Sequence, residues 1–201
     1  MYLFQSGGTV RTIIKKEEFL EKENFYLNEV KNGRIFIYPT DTIYGIGCDA
    51  TNAKAVGKVR EIKQRDEKPF SIIVPGKKWI AENCVVGEGS REHLDKLPGK
   101  FTLIFKLKDN VAIAKNELIG ESDTIGVRIP DNWFAEFLTR HDLIFVTTSV
   151  NLSGEKPIIC VGELASEIYE KVDYVIDDGL LGSSPSALIN LSKDKVEVTD
   201  R

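Results

Sequence analysis

Apolar positions recur along this chain with two periods, and the period decides the element. In Phe101–Leu107, the residues Phe101, Leu103, Phe105 and Leu107 alternate with mostly polar neighbours. Alternation sends successive side chains to opposite faces, so a half-buried strand is predicted. After Asn52, the residues Ala55, Val56, Val59 and Ile62 recur at three and four. That spacing gives one apolar stripe on a helix ending near Ile62, with Asn52 placed to cap its start. Short apolar runs bounded by turn residues predict strands at Thr9–Ile14, Arg34–Tyr38, Phe70–Val74, Thr124–Ile129 and Leu143–Val146. Pro39, Pro75-Gly76 and Pro130 stop three of them.

Further helices are predicted at Lys15–Lys31 (apolar at Phe19, Leu20, Phe25, Leu27 and Val30), Lys77–Val85, Ser90–Leu97 and Val161–Lys171. Another spans Asn132–His141, with Trp133, Phe134, Phe137 and Leu138 toward the core. Late strands fall at Tyr174–Ile176, Ser186–Leu191 and Val196–Val198, while Asp109–Asp123 reads as irregular. Pro39–Asp49 reads as a polar loop in which Gly45 and Gly47 permit close backbone approach. Helices and strands mix without strict βαβ alternation. The fold class is therefore α/β, a twisted mixed β-sheet flanked by helices, in one domain over residues 1–201.

Composition narrows the function classes. The net charge of −4 argues against nucleic-acid binding through the overall field, though not against a local basic pocket. Cys48, Cys84 and Cys160 form no CxxC pair, which fits a reduced, cytoplasmic setting. The two histidines, His93 and His141, have no Cys or His at ligand spacing, so neither a zinc site nor a Ser-His-Asp triad is expected. No run approaches the ~20 apolar residues of a membrane span. Met1–Gly8 lacks the basic leader and apolar core of a signal peptide.

Two polar segments carry candidate chemistry. Lys63 and Arg65 stand two apart just past the predicted helix end, and Pro69 disfavours helix at Lys68. In extended chain that spacing puts both cations on one face; a solvated helix end is the alternative reading. Ser149 and Asn151 share the spacing directly after a strand, where hydroxyl, carboxamide and loop N–H groups can hold phosphate oxygens; an ordinary turn is the alternative. Arg128 lies between Val127 and Ile129, either on a solvent face or aimed at a carboxylate or phosphate. Neither GxxxxGK[ST] nor GxGxxG occurs, so a nucleotide would need another cradle.

The order of several short stretches resembles the YrdC/TsaC family of L-threonylcarbamoyladenylate synthases. They are Pro39-Thr40-Asp41-Thr42-Ile43-Tyr44-Gly45 with Gly47-Cys48-Asp49-Ala50, and Ile62-Lys63-Gln64-Arg65 with Lys68-Pro69-Phe70. Pro98-Gly99 with Thr102-Leu103-Ile104 and Gly126-Val127-Arg128-Ile129-Pro130 follow, then Ser149-Val150-Asn151-Leu152-Ser153-Gly154 with Pro157, and Pro185–Leu191. The family's KxR and SxN signatures fall on Lys63, Arg65, Ser149 and Asn151. The resemblance implies a YrdC-like sheet with a deep positively charged cavity. It implies that L-threonine, bicarbonate or CO2, and ATP with Mg²⁺ become threonylcarbamoyl-AMP and pyrophosphate, no protein group holding the metal. The product would pass to a tRNA threonylcarbamoyl transferase complex.

By the same resemblance, Lys63, Arg65, Ser149 and Asn151 would be catalytic. They would bind ATP together with Lys68, Thr124, Pro157 and Arg201. Thr40, Tyr44, Arg128, Thr147 and Ser186 would bind threonine. Asp66 and Glu67 would have to point away from the phosphates. Two other readings stand beside it: a non-catalytic protein binding double-stranded RNA or tRNA, and a carbamoyl-adenylating module like that of hydrogenase-maturation proteins.

Overall fold

The computed structural model describes residues 12–64, 68–152, 155–182, 184–193 and 195–199. The strands are β1 (Thr12–Lys15), β2 (Phe36–Tyr38), β3 (Gly45–Gly47), β4 (Ser71–Ile73), β5 (Cys84–Val85), β6 (Phe101–Leu107), β7 (Thr124–Arg128), β8 (Phe145–Ser149), β9 (Tyr174–Asp177), β10 (Ala187–Asn190) and β11 (Glu197–Thr199). The helices are α1 (Lys16–Glu21), α2 (Glu23–Lys31), α3 (Ala53–Ile62), α4 (Lys77–Asn83), α5 (Arg91–Leu94), α6 (Lys115–Ile119), α7 (Trp133–Arg140) and α8 (Ser166–Tyr169).

Among the described residues the strands form one sheet in the order β1-β9-β2-β3-β8-β4-β7-β6-β10-β11, with β5 on β6. Parallel pairs (β1 with β9, β4 with β7, β6 with β10) mix with antiparallel ones (β2 with β3, β8 with β4, β6 with β7). Both faces are covered. Phe36 and Tyr38 point into an aromatic core with Phe19, Tyr26, Phe134, Phe137 and Phe145. Ile37, between them, points the other way into a larger aliphatic core with Val56, Val59, Leu103 and Phe105. The aromatic core is filled by α1, α2 and α7; Phe19 stacks on Tyr26 at 4.7 Å and Tyr38 on Phe134 at 4.7 Å. Fully burying each such ring is worth roughly 1.5–3 kcal/mol.

The α3 stripe is as expected: Ala55, Val56, Val59 and Ile62 are all buried, and Asn52 Oδ1 accepts from the Ala55 N–H at 3.1 Å. Several expectations change. The helix expected over 15–31 is two helices broken at Lys22, and the break lets Phe19 and Tyr26 stack while Leu20 and Phe25 stay exposed. Gly45–Gly47, expected as loop, is a strand, because β2 and β8 on either side satisfy its backbone. The segment 109–123 contains α6. The helix expected over 161–171 shrinks to a 3-10 turn and α8, with extended backbone at Leu164 between them.

Glu23 joins α2 to the end of α7. It accepts from Arg140 Nη2 at 2.9 Å and meets His141 Nε2 at 2.7 Å. The His141 hydrogen bond, then Arg140, hold its carboxyl below the ordinary value. A lowered carboxyl stabilises the fold above its unfolded pKa and loses that contribution as pH falls through the folded one. Glu23→Gln should therefore lower Tm at pH 7, by about 2–4 °C if a half-exposed pair contributes ~1 kcal/mol. The gap to the unsubstituted protein should close in thermal melts taken well below the ordinary carboxylate range.

Candidate functional site

The sheet face carrying the aromatic core changes character along its strands. On β4 the side chains on that face run from Ile73 to Ser71; on β8 they run from Phe145 to Thr147 and Ser149. The register sets Ser71 against both Thr147 and Gly126, Ile73 against Phe145, and Gly45 against Ser149. Cross-strand partners share a face, so the hydroxyls collect at one end while the aromatics pack at the other. β6 adds Thr102 from the same face. At that end lies a cavity of about 220 Å³, lined chiefly by Thr40, Tyr44, Ser71, Thr102, Arg128, Thr147, Thr148, Ser149 and Ser186, with Ile43, Pro69, Pro157 and Pro185.

Two glycines make room for this floor. A Cβ on Gly126 would stand 2.4 Å from Ser71 Oγ and 3.1 Å from Thr102 Cγ2. A Cβ on Gly45 would stand 2.8 Å from Tyr38 Cζ, whose phenol passes beneath it to donate to Val146 O at 2.9 Å.

The hydroxyls are themselves held. Thr40 Oγ1 donates to Ile43 O at 2.6 Å and accepts from the N–H groups of Thr42 and Ile43, closing the turn after β2. Ser186 Oγ and Thr102 Oγ1 are 2.7 Å apart. Tyr44 donates to Gly179 O at 2.8 Å and accepts from Asp178 N–H at 3.0 Å; burial pushes its phenol up to about 12, so it stays neutral. Among the described lining residues Arg128 alone carries charge. Its Nη2 donates to Asp41 Oδ1 at 2.8 Å and to Thr42 Oγ1 at 3.3 Å.

Lys63, buried at the C-terminal cap of α3, does not line the cavity but reaches the backbone of Ser149, which does. Its ammonium donates to Ser149 O at 2.7 Å, Asn151 O at 2.5 Å and Asn151 Oδ1 at 2.9 Å. Ser149 Oγ donates to the same Asn151 Oδ1 at 2.6 Å, and Asn151 Nδ2 donates to Leu152 O and Glu155 O. The structure thus joins Lys63, Ser149 and Asn151 in one network across 86–88 residues of sequence. It does so without the extended chain expected after α3: Lys63 is in the right-handed helical region and Gln64 has φ +46°. Arg65, with Asp66 and Glu67, and Arg201 lie outside the described residues.

Thr40, Tyr44, Arg128, Thr147, Ser149, Pro157 and Ser186 come together around the cavity. Lys68 is exposed, its carbonyl accepting from Arg60 Nη1 at 3.3 Å. Thr124 is half-buried beside Ser122 at the far end of β7, about 13 Å along the strand from Arg128. Asp41, Ser71 and Thr102 were not expected at the site. Thr102 and Ser71 could have been suspected as polar residues inside apolar strands; Asp41 stands in the family-like Pro39–Gly45 stretch, but no residue near it signals its partner. A second, more apolar cavity of about 620 Å³ adjoins, sharing Ile43, Pro157 and Pro185 and bordered by Asn151.

The family model Sua5_yciO_yrdC, described as "Telomere recombination", matches residues 28–201. The chain belongs to the Sua5/YciO/YrdC family. A Methanocaldococcus jannaschii protein carrying the provisional name threonylcarbamoyl-AMP synthase is 40% identical over 197 residues, covering 94% of this chain and 92% of that protein. E. coli YciO superposes with TM-score 0.82 at 24% identity over 96% of each chain. The structure of P. abyssi Sua5 complexed with L-threonine gives TM-score 0.82 at 22% identity, covering 94% of this chain. This chain spans just over half, 56%, of that Sua5 chain. The two structures establish the mixed-sheet fold of this Sua5/YciO/YrdC member.

Gly126→Ala tests the floor. The added methyl meets Ser71 Oγ and Thr102 Cγ2 across paired strands, so one of them must move. Retained fold by circular dichroism with at least tenfold weaker binding of the cavity's ligand is the expected result.

Proposed function

We propose that this protein is an L-threonylcarbamoyladenylate synthase, joining L-threonine, bicarbonate or CO2, and ATP into threonylcarbamoyl-AMP with release of pyrophosphate. The observation that carries the reading is Arg128 set among hydroxyls in a cavity of amino-acid size, beside the Lys63–Ser149–Asn151 network. The name of the M. jannaschii relative supports it.

The chemistry asks for positioning rather than for a protein nucleophile. The neutral threonine amine adds to CO2, which bicarbonate supplies by losing water after protonation, and the nitrogen gives up one proton to solvent as the carbamate forms. A carbamate oxygen attacks the α-phosphorus of ATP, the bond from that phosphorus to the bridging β-oxygen breaks, and pyrophosphate leaves. Holding the two anions in line and stabilising charge on the phosphoryl oxygens is the work the protein must do. Arg128 would take the threonine carboxylate, with Thr40, Tyr44, Thr147 and Ser186 around the rest of the amino acid. A cavity of 220 Å³ is too small to hold ATP as well. The triphosphate would therefore run out past Ser149 and Asn151, near the Lys63 charge, with Arg65, Lys68, Thr124, Pro157 and Arg201 as its further contacts by family resemblance.

Mg²⁺ would enter with ATP as part of the substrate. Among the described residues no group of three or more His, Cys, Asp or Glu could hold a metal. The product would go to a tRNA threonylcarbamoyl transferase complex. We place the protein in the cytoplasm as one domain. Among the described residues no helix is long and apolar enough to cross a membrane.

The test is pyrophosphate release by purified protein, with threonine and bicarbonate each present or omitted. Release that requires both supports the reading; release without threonine, or none at all, overturns it. Arg128→Lys should raise KM for threonine roughly tenfold or more through loss of the planar fork, with KM for ATP little changed. Lys63→Ala and Arg65→Ala should each abolish threonine-dependent release in a folded protein. Inactivity of the unsubstituted protein together with salt-resistant tRNA retention would instead favour RNA binding.

A further inference from the structure

We propose that Asp41 is a positioning residue of the substrate site, fixing the Arg128 guanidinium in the orientation in which it receives a carboxylate. The inference deepens the reading above and rests on Arg128 meeting the amino-acid carboxylate. Asp41 does not line the cavity; Arg128 does. The two side chains form an ion pair at 2.8 Å, only 7% and 5% exposed. The other carboxylate oxygen, Oδ2, accepts from the Asp131 N–H at 3.1 Å. One carboxylate thus holds both Arg128 Nη2 and the backbone three residues further on.

Asp41 has little freedom to move. On one side its turn is closed by the Thr40 hydroxyl. On the other it is tied to the start of α7, where Asn132 Nδ2 donates to Pro39 O at 2.8 Å while Asn132 Oδ1 caps the helix. Thr42, next to Asp41, offers its Oγ1 to the same Nη2.

Stability is a weak reason for such a pair. Desolvating two charges offsets most of their attraction, and well-packed apolar replacements are often no less stable. Orientation is a better one. A guanidinium is a rigid planar fork, and bidentate recognition demands the right plane. Asp41 holds that fork from behind while the ligand meets it from the cavity. It also offsets part of the Arg128 charge, so a bound anion is not held too tightly to leave.

Asp41→Asn keeps the shape and removes the charge. Threonine binding by calorimetry should weaken about tenfold, matching a rise in threonine KM, while KM for ATP stays within twofold. Asp41→Asn combined with Arg128→Lys should bind no more weakly than Arg128→Lys alone, because one residue acts through the other. Unchanged threonine affinity, equal loss for threonine and ATP, or additive losses would each overturn the proposal. Thr42→Val supplies a milder variant if Asp41→Asn does not fold, with a smaller shift in the same direction; no shift counts against the proposal.

A ligand-free readout separates the two readings. The Arg128 side-chain ¹⁵N–¹H spectrum should show slowly exchanging Nη signals that collapse in Asp41→Asn. Collapse alongside an unsubstituted protein that binds no threonine would overturn the synthase reading and leave Asp41 as the anchor of Arg128. Signals unchanged by the substitution would overturn the anchoring itself.

Discussion

The Lys63 ammonium has three N–H donors, and among the described residues it donates to Ser149 O, Asn151 O and Asn151 Oδ1 in one turn. Much of the site's geometry depends on that arrangement. It ties the end of α3 to the end of β8, the strand whose last residues floor the cavity. It replaces the hydration of a buried cation with carbonyl and carboxamide oxygens. Unpaired, a buried ammonium would be costly. Carbonyl and carboxamide dipoles satisfy its hydrogen bonds without taking its proton, so the group is held in place while it stays charged. Holding the turn and attracting an anion are therefore compatible tasks for one side chain. Arg128 follows the same logic with a different partner: it is held by a carboxylate from behind and faces the cavity.

The rest of the site follows from how the sheet is ordered. The cavity lies across β3, β8, β4, β7 and β6, strands that neighbour one another in the middle of the sheet. Central strands have their backbone groups satisfied on both sides, so a polar cavity there need not satisfy exposed ladder edges. The aromatic core stacked on the same face, through Tyr38, Phe134 and Phe145, keeps those strands from shifting register. A slip by one residue would move Ser71 and Thr147 off the cavity face.

Much of this was legible in the sequence because it is local. The alternation in Phe101–Leu107 matches β6, and the Asn52 cap and apolar stripe match α3. The resemblance of short motifs also gathered, from distant positions, seven residues that do surround one cavity. The rest was hidden for physical reasons. Gly45-Ile46-Gly47 has poor strand propensity and is a strand because its neighbours demand pairing. The helix expected after Cys160 is interrupted at Leu164, whose backbone is extended at φ −68° and ψ 118°, and Gly162 weakens the turn before it. Asp41 stands in the family-like Pro39–Gly45 stretch, but nothing in its own neighbourhood ties it to Arg128, 87 residues away.

The hydroxyl lining has a consequence of its own. A serine or threonine hydroxyl is donor or acceptor according to how its O–H bond is turned, and turning it transfers no proton. A wall built of Ser71, Thr102, Thr147, Thr148 and Ser186 can present lone pairs to a cationic group or hydrogens to an anionic one. The pocket can follow a reversal of charge in its occupant by rotation alone. Its own charge state stays the same throughout, and nothing in that wall has to be reset by exchange with bulk solvent before the next molecule arrives.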